Sequence, residues 1–214
     1  METAQALGKI ASGDRQAFAA LYSSGRGPLV RYASALLAGD VDAAMDVVDD
    51  AFLDIWRQAG RYTGLGSADG WIRRIVRNKA VDWLRARHGQ TISLDANSGV
   101  AGEIPDDADP PDLLVEKASE ADVLRKALER LSPDHREAVW LCYFEDRSLA
   151  EIAEIAGCPE NTIKTRLFHA RRLLRHELER LGMGDDGSPR AVAGAEWARR
   201  LHPASEPKGL SPRP

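Results

Sequence analysis

The sequence predicts an all-α protein made of two small helical domains that are joined by a flexible acidic linker. Apolar residues recur at helical spacing in two separate stretches, and no alternating strand pattern persists along the chain. Between these stretches lies a segment rich in turn-forming and acidic residues, which is typical of a linker. With 214 residues, of which 43% are hydrophobic and 29% charged, the chain is long enough for two small cores.

The first domain is predicted over residues 14–88. Asp14 has the side chain of a helix N-cap. The strongest apolar spacing, at i, i+3, i+4, i+7 and i+8, consists of Val48, Ala51, Phe52, Ile55 and Trp56. Residues 60–70 contain four glycines and are expected to form a loop. A further helical stripe runs from Ile72 to Leu84, so we expect a helical bundle.

The second domain is predicted over residues 120–182. It follows an acidic linker at residues 89–119 and precedes a tail at residues 183–214, which is rich in proline and glycine and is expected to be disordered. Ser132 followed by Pro133 is typical of a helix start. We therefore expect helices to resume after the linker and to open a new bundle.

A helix-turn-helix is predicted inside the second domain. Ser148 with Glu151 three residues later forms a capping-box pattern. Gly157 suits the turn that ends a helix, and a proline two residues later is typical of the next helix start. Ile163 and Leu167, four residues apart, are expected to pack the second helix onto the first.

Charge is segregated along the chain, although the formal net charge is only −4. Residues 40–54 contain six acids and no base, whereas residues 61–87 contain seven bases and two acids. Residues 95–122 contain nine acids and one base, whereas residues 164–180 contain six bases and two acids. Such blocks indicate that different segments meet different partners.

Several classes of protein are disfavoured by what the sequence contains. It has no run of eighteen apolar residues, and its N-terminus does not resemble a signal peptide. Cys142 and Cys158 fit neither metal-ligand spacing nor a disulfide framework. The histidines and acids form no catalytic or metal-binding constellation. We therefore expect a cytoplasmic protein that is not an enzyme, with no metal and no cofactor.

The second helix of the predicted helix-turn-helix is basic and is predicted to bind duplex DNA. Lysine and threonine can reach base edges in the major groove, and phenylalanine can contact a thymine methyl group. The residues expected to face outward are Lys164, Thr165, Phe168 and His169. Arginines suit phosphates, and those available are Arg166, Arg171, Arg172 and Arg175. A basic helix alone would also fit a solvated surface, but the capping box and the turn glycine favour DNA binding.

The first domain combines aromatic and basic residues around its glycine-rich loop. Aromatic rings stack on unpaired bases while neighbouring cations follow the backbone, so this combination suits single-stranded nucleic acid. Trp56 is expected to be a core residue, whereas Trp71 and Trp83 fit either the core or base stacking.

These motifs, taken in order, resemble those of bacterial RNA polymerase sigma factors of the extracytoplasmic-function (ECF) group, the minimal sigma-70 type with only regions two and four. DVVDDAFLDIW resembles the region-two helix that docks on core polymerase. WIRRIVRNKAVDWLRAR resembles the segment that melts and reads the −10 element. The stretch from LSPDHREAVW to LFHARRLLR resembles region four, which reads the −35 element.

The resemblance implies roles for the matching positions. Binding to core polymerase, or the scaffold of that binding site, is implied for Asp46, Asp49, Asp50 and Trp56, although such proteins usually carry Gln where Asp49 stands. Recognition of the melted −10 element is implied for Tyr62, Trp71, Arg74, Arg77, Asn78 and Lys79. Recognition of the −35 element is implied for Lys164, Thr165, Arg166, Phe168, His169, Arg171 and Arg172.

The resemblance also implies partners: promoter DNA, the clamp and flap regions of core polymerase, and an anti-sigma protein. From the residues alone, a stand-alone helix-turn-helix regulator remains the alternative, with the first domain as a sensor or dimerisation unit. Such a regulator would protect DNA without polymerase, usually as a dimer on a palindrome.

Overall fold

A computed structural model describes residues 3–88 and 126–180, and the described part of the chain is helical and contains no strand. The all-α prediction is therefore confirmed. The predicted linker, residues 89–119, and the predicted tail, residues 183–214, lie outside the described residues.

The first unit consists of four helices and a short 3₁₀ turn at Ala59–Arg61. The helices are α1 (Thr3–Ala11), α2 (Arg15–Leu36), α3 (Val41–Gln58) and α4 (Ala68–His88). In the second unit, residues 126–129 are helical. They are followed by α5 (Pro133–Tyr143), α6 (Leu149–Ala156) and α7 (Glu160–Arg180).

The helix starts follow from local chemistry that the sequence displays. The Asp14 carboxylate accepts hydrogen bonds from two backbone N–H groups of the first turn of α2, and the Ser132 hydroxyl accepts one at the start of α5. Ser148 and Glu151 form the predicted capping box on α6. Each contact satisfies a backbone N–H group that has no partner within its helix.

The turn between α6 and α7 depends on glycine. Gly157 has φ of +66° and ψ of 36°, the left-handed conformation that costs least for glycine. Ile163 and Leu167 are almost completely buried, so α7 packs against the preceding helices through the predicted face. The predicted helix-turn-helix is present.

Two features of the first unit go beyond the sequence prediction. Helix α1 precedes residue 14 and buries Leu7 and Ile10 in the core; with only nine residues, it is stabilised by packing rather than by propensity. Pro28 lies inside an uninterrupted α2. A proline there removes one hydrogen bond, but the buried residues on either side of it, Ala17 and Tyr32, hold both halves of α2 on the core.

The glycine-rich loop is shorter than predicted. Helix α4 begins at Ala68 rather than after residue 70. The cause is Ser67, whose hydroxyl accepts a hydrogen bond from the Gly70 N–H group and whose carbonyl accepts one from the Trp71 N–H group. The loop therefore ends on a serine cap, and Trp71 is held on the first turn of a rigid helix.

The two units share one apolar core rather than standing apart. Helix α2 packs against α5, and α4 packs against α6. Buried residues of both units form a single connected cluster. Each unit therefore covers part of the surface of the other.

Candidate nucleic-acid and polymerase interfaces

Helix α7 presents one continuous exposed stripe. Lys164, Thr165, Phe168 and Arg172 are all exposed, and their spacing places them on one face of a helix. The Phe168 side chain is 61% exposed although it is large and apolar. An apolar ring surrounded by basic and hydroxyl groups has the chemistry needed to read base edges and thymine methyl groups.

The other three predicted residues of α7 face the body of the protein. The Arg166 side chain is 11% exposed, and its Nη2 lies 2.7 Å from Oδ2 of Asp134. His169 is half-buried, with its ring 6.4 Å from that of His135, and Arg171 is also half-buried. The structure thus brings four of the seven predicted residues together and separates these three from them.

A second candidate surface lies where the loop meets α4. The rings of Tyr62 and Trp71 are 5.9 Å apart, and the Tyr62 hydroxyl donates to the carbonyl of Gly66 at 3.1 Å. Both rings are half-buried, so neither is wholly a core residue. Arg74 and Asn78 are exposed and lie three and seven residues after Trp71, on the same face of α4.

The remaining two predicted residues of α4 lie elsewhere. The Nε atom of Arg77 is 2.8 Å from Oε2 of Glu137, and Arg77 is only 12% exposed. Lys79 Nζ is 2.9 Å from Oδ2 of Asp54, so this side chain faces α3. The predicted −10 residues therefore lie in three places. Arg77 is largely buried against α5 and Lys79 faces α3. The solvent-accessible group consists of Tyr62, Trp71, Arg74 and Asn78.

Helix α3 carries an exposed acidic face. Asp46 and Asp50 are exposed, and Leu53, one turn after Asp50, is 51% exposed. Sequence reasoning missed Leu53, although an apolar residue on the acidic side of an amphipathic helix was the available signal. An exposed leucine flanked by carboxylates suits a protein partner rather than DNA.

Asp49 and Trp56 have structural contacts within the first unit. Asp49 accepts hydrogen bonds from Arg26 Nε at 2.8 Å and Nη2 at 2.9 Å, and from the Tyr22 hydroxyl at 3.0 Å. These bonds, chiefly those from Arg26, lower the pKa of Asp49 below its ordinary value. Trp56 packs edge-on against Phe18 with ring centroids 5.2 Å apart. Both residues tie α2 to α3.

A second exposed residue was missed at the loop. Leu65 is 84% exposed at the tip between Tyr62 and α4. A large apolar side chain in that position adds a contact surface beside the two aromatic rings. The sequence prediction missed Leu65 because the glycine content of a loop does not indicate which side chain lies at its tip.

The described residues contain no cluster of candidate metal ligands, and their two cysteines are not joined in a disulfide. Residues 3–88 and 126–180 bring no three His, Cys, Asp or Glu side chains together as metal ligands. Burial raises the pKa of both cysteine thiols, Cys142 and Cys158, above the ordinary value. In the same part of the chain, the helices that are long enough to cross a bilayer are too polar to do so.

Comparison with known families matches both units. Residues 21–89 match the model of sigma-70 region 2, and residues 121–174 match that of sigma-70 region 4. Their order and extent agree with the two helical units.

Named relatives give the same result. The ECF RNA polymerase sigma factor SigL of Mycobacterium tuberculosis is 32% identical over 166 residues, which cover 77% of this chain and 90% of SigL. The probable RNA polymerase sigma factor RfaY of Xanthomonas campestris is 32% identical over 193 residues, but the chain spans only 47% of that protein.

Solved structures share the fold. The sigma factor RpoE, in complex with the anti-sigma factor NepR from Bartonella quintana, superposes with a TM-score of 0.56 at 26% identity, covering 76% of this chain and 96% of that one. CnrH, in complex with the cytosolic domain of CnrY, superposes with a TM-score of 0.59 at 22% identity, covering 82% and 96%. These findings favour a sigma factor over a stand-alone regulator, and the chain belongs to the sigma-70 family of RNA polymerase sigma factors, in its ECF group.

Proposed function

We propose that this chain directs core RNA polymerase to a two-part promoter, with α7 reading the −35 element and the loop and α4 engaging the melted −10 element. The observation that carries the proposal is the pair of exposed surfaces, each built on a rigid helix. As an initiation factor, the chain supplies binding while polymerase supplies catalysis. Its site of action is then the cytoplasm, where polymerase and promoter DNA meet.

The −35 role rests on the exposed stripe of α7. Lys164 and Thr165 stand near the start of the helix, where a recognition helix contacts base edges. Arg172 lies farther along the same stripe, in a position that suits phosphate. Because Lys164 is exposed, Lys164→Ala should reduce recognition without unfolding the protein.

The expected result is a loss of about 1–3 kcal/mol of binding free energy, together with relaxed preference at one base pair. The measurement is holoenzyme binding to a panel of −35 variants at fixed salt. A uniform loss across the panel would assign Lys164 to phosphate rather than to a base. Lys9→Ala, at an exposed position on α1, is the matched control.

The −10 role rests on the Tyr62 and Trp71 rings beside exposed Arg74 and Asn78. Stacking of a base on an aromatic ring contributes about 1–3 kcal/mol. Trp71→Ala should therefore spare the closed promoter complex and impair melting. Permanganate reactivity of unpaired thymines measures melting, and filter binding measures the closed complex. Equal loss of both steps in the Trp71 and Lys164 variants would contradict the division of labour.

Polymerase docking is proposed for the acidic face of α3, with Asp46, Asp50 and exposed Leu53 as the contacts. An anti-sigma partner is proposed because RpoE, which resembles this chain, was solved with one. The test of the whole proposal is promoter-dependent transcription by core polymerase with the purified protein, including on the promoter of its own gene. Absence of any such transcript, with the protein folded, would refute it.

A further inference from the structure

Two clefts meet where α2 of the first unit faces α5 of the second. The larger has a volume of about 380 Å³ and is lined mainly by apolar side chains of α2, the start of α3 and α5. The smaller has a volume of about 260 Å³ and is lined mainly by polar groups. Both are lined by Arg31, Trp140 and Phe144, so they adjoin along a shared wall. Small-ligand sites commonly measure about 300–1,000 Å³, so the pair has the size for a bound small molecule.

The shared wall is an aromatic pair that a carboxylate holds in place. The rings of Trp140 and Phe144 stack with centroids 4.6 Å apart and planes 11° from parallel. Trp140 Nε1 donates to Oε1 of Glu145 at 3.0 Å, and the other Glu145 oxygen lies 2.9 Å from Nη2 of Arg73. Glu145 therefore fixes the aromatic wall and one cation of the smaller cleft together, which reduces the cost of ordering them on binding.

The larger cleft presents apolar surface to solvent. Among its lining residues, Val41 is 52% exposed and Phe144 is 42% exposed. The other aliphatic lining residues include Val30, Ala35, Leu128 and Val139. Most of the uncharged side chains in this lining carry no hydrogen-bonding group, so the cleft suits hydrocarbon rather than a sugar or a nucleobase.

Buried arginines with unused hydrogen-bonding capacity line both clefts. Arg73, in the smaller cleft, is 6% exposed, and its Nη1 has no hydrogen-bond partner among the described residues. Arg136, in the larger cleft, is also 6% exposed, and its Nε likewise has none within that part of the chain. Burial lowers the pKa of Arg136 more than the charge of Glu129 raises it. A buried donor without a partner is costly, and an anionic ligand would supply an acceptor.

Two more arginines line the smaller cleft. Arg147 is already neutralised, because it pairs with Asp69 and lies 3.0 Å from Oε1 of Glu151. Arg31 is exposed and pairs with no carboxylate among the described residues. Arg31 and the unpartnered Nη1 of Arg73 are therefore the groups available to a ligand.

We propose that the two clefts form one binding site for a small amphipathic anion. Its carboxylate or phosphate head pairs with Arg31 and Arg73, and its hydrocarbon body lies in the larger cleft against Phe144 and Val41. Guanidinium groups bind both kinds of head through charge-assisted hydrogen bonds. The ligand contacts α2 and α5 together, so it binds the folded chain and stabilises it against unfolding. Such binding needs neither polymerase nor DNA, so its failure and the failure of the proposed function are distinguishable.

The test titrates the full-length chain with four probes, each as a monomer below its micelle concentration: decanoate, decyl phosphate, decanol and decyltrimethylammonium. Isothermal titration calorimetry measures affinity and stoichiometry, and scanning fluorimetry measures the melting temperature. At least one of the two anions should bind as one molecule per chain and raise the melting temperature, and the tighter of the two identifies the head group. The neutral and cationic probes should bind about tenfold more weakly or less. No binding of either anion, or equal binding of all four probes, would overturn the proposal.

A variant at the head of the ligand locates the anion. Arg31→Ala should weaken binding of the anionic probe about three- to tenfold, as expected for loss of one charge-assisted contact at an exposed position. Arg15→Ala, which removes the same charge from an exposed position at the start of the same helix, should leave the affinity unchanged. Equal affinities in these two variants would place the probe elsewhere on the surface and refute the site.

A second variant locates the hydrocarbon. In the wild type, affinity should rise about three- to fourfold per methylene group from hexanoate to decanoate. Ala35→Leu adds side-chain volume at a half-buried position that lines the larger cleft, so it should remove most of this gain without loosening the core. A gain that Ala35→Leu leaves unchanged would mean that the hydrocarbon lies outside the cleft.

Other occupants of the clefts would give different results. Sedimentation velocity tests for a second copy of the chain, and flotation with vesicles of phosphatidylglycerol tests for a lipid surface. The proposal expects a monomer that does not float with the vesicles. A stable dimer that Phe144→Ser dissociates, or vesicle binding that Arg31→Ala abolishes, would assign the clefts to those occupants and overturn it.

Discussion

Removing the hydroxyl group of Tyr32, which donates to the buried carboxylate of Glu137, should destabilise the protein measurably. In Tyr32→Phe, the ring stays in the core and only the donor to Glu137 is lost. The carboxylate keeps its bond to Arg77 but leaves one oxygen without its 2.7 Å partner in a site that water does not reach. A hydrogen bond to a charged group contributes about 1.5–3 kcal/mol, so we expect a loss of about 2 kcal/mol.

The assay is differential scanning calorimetry at pH 7. For a chain of this size, 1 kcal/mol shifts the melting temperature by about 2–4 °C, so Tyr32→Phe should lower it by about 4–8 °C. Tyr62→Phe is the matched control, since that hydroxyl donates to an exposed backbone carbonyl. Its effect should stay within about 0.5 kcal/mol. Equal shifts in the two variants would refute the reasoning.

The effect of Tyr32→Phe should also depend on pH. Burial raises the pKa of the Glu137 carboxyl above its ordinary value, although Arg77 and Tyr32 oppose this shift. As pH falls through that raised pKa, the carboxyl becomes protonated and its bond to Tyr32 becomes one between neutral groups. Such a bond contributes about 0.5–1.5 kcal/mol. The difference between wild type and variant should therefore shrink on acidification, and a constant difference would mean that Glu137 is not the acceptor.

Three further predictions concern local contacts. Asp49→Asn should lower the melting temperature at pH 7, and the difference should vanish in acid. The hydrogen bonds from Arg26 hold the pKa of Asp49 in the folded protein below its ordinary value, so the stabilisation is complete above the ordinary pKa and is lost as pH falls through the folded pKa. Ser148→Ala removes the hydroxyl of the capping box and should cost about 1 kcal/mol in urea unfolding, whereas Ser148→Asp should restore most of it. Leu53→Asp should weaken binding to core polymerase, measured by fluorescence anisotropy, without changing the melting temperature, because the residue is half exposed on the acidic face of α3.

Features that depend on a few adjacent residues were predictable from the sequence. The caps at Asp14, Ser132 and Ser148 and the left-handed turn at Gly157 each satisfy a local backbone requirement with a nearby side chain. Helical spacing likewise identified the buried face of α7. Helix α1 was missed because its nine residues carry too weak a pattern without the core they pack on.

The partner of each charged side chain was not predictable, because it depends on contacts between distant segments. The sequence shows that Arg77 and Arg166 are basic, but not that Glu137 lies opposite Arg77 across the contact between the units, or that Asp134 faces Arg166 within the second unit. Lys79 likewise pairs with Asp54 across two helices. The predicted DNA-binding residues therefore differ in exposure: Lys164 is exposed, whereas Arg77 and Arg166 are largely buried.

The segregation of charge along the chain has a physical meaning in the folded protein. Acidic side chains on the first turns of α5 lie between a basic helix of the first unit and the basic α7. An isolated basic surface would repel itself and would bind any polyanion with an affinity governed by salt. Internal carboxylates neutralise part of that surface. Lys164 and Arg172 remain exposed, so we expect duplex DNA to meet these residues rather than Arg166 first.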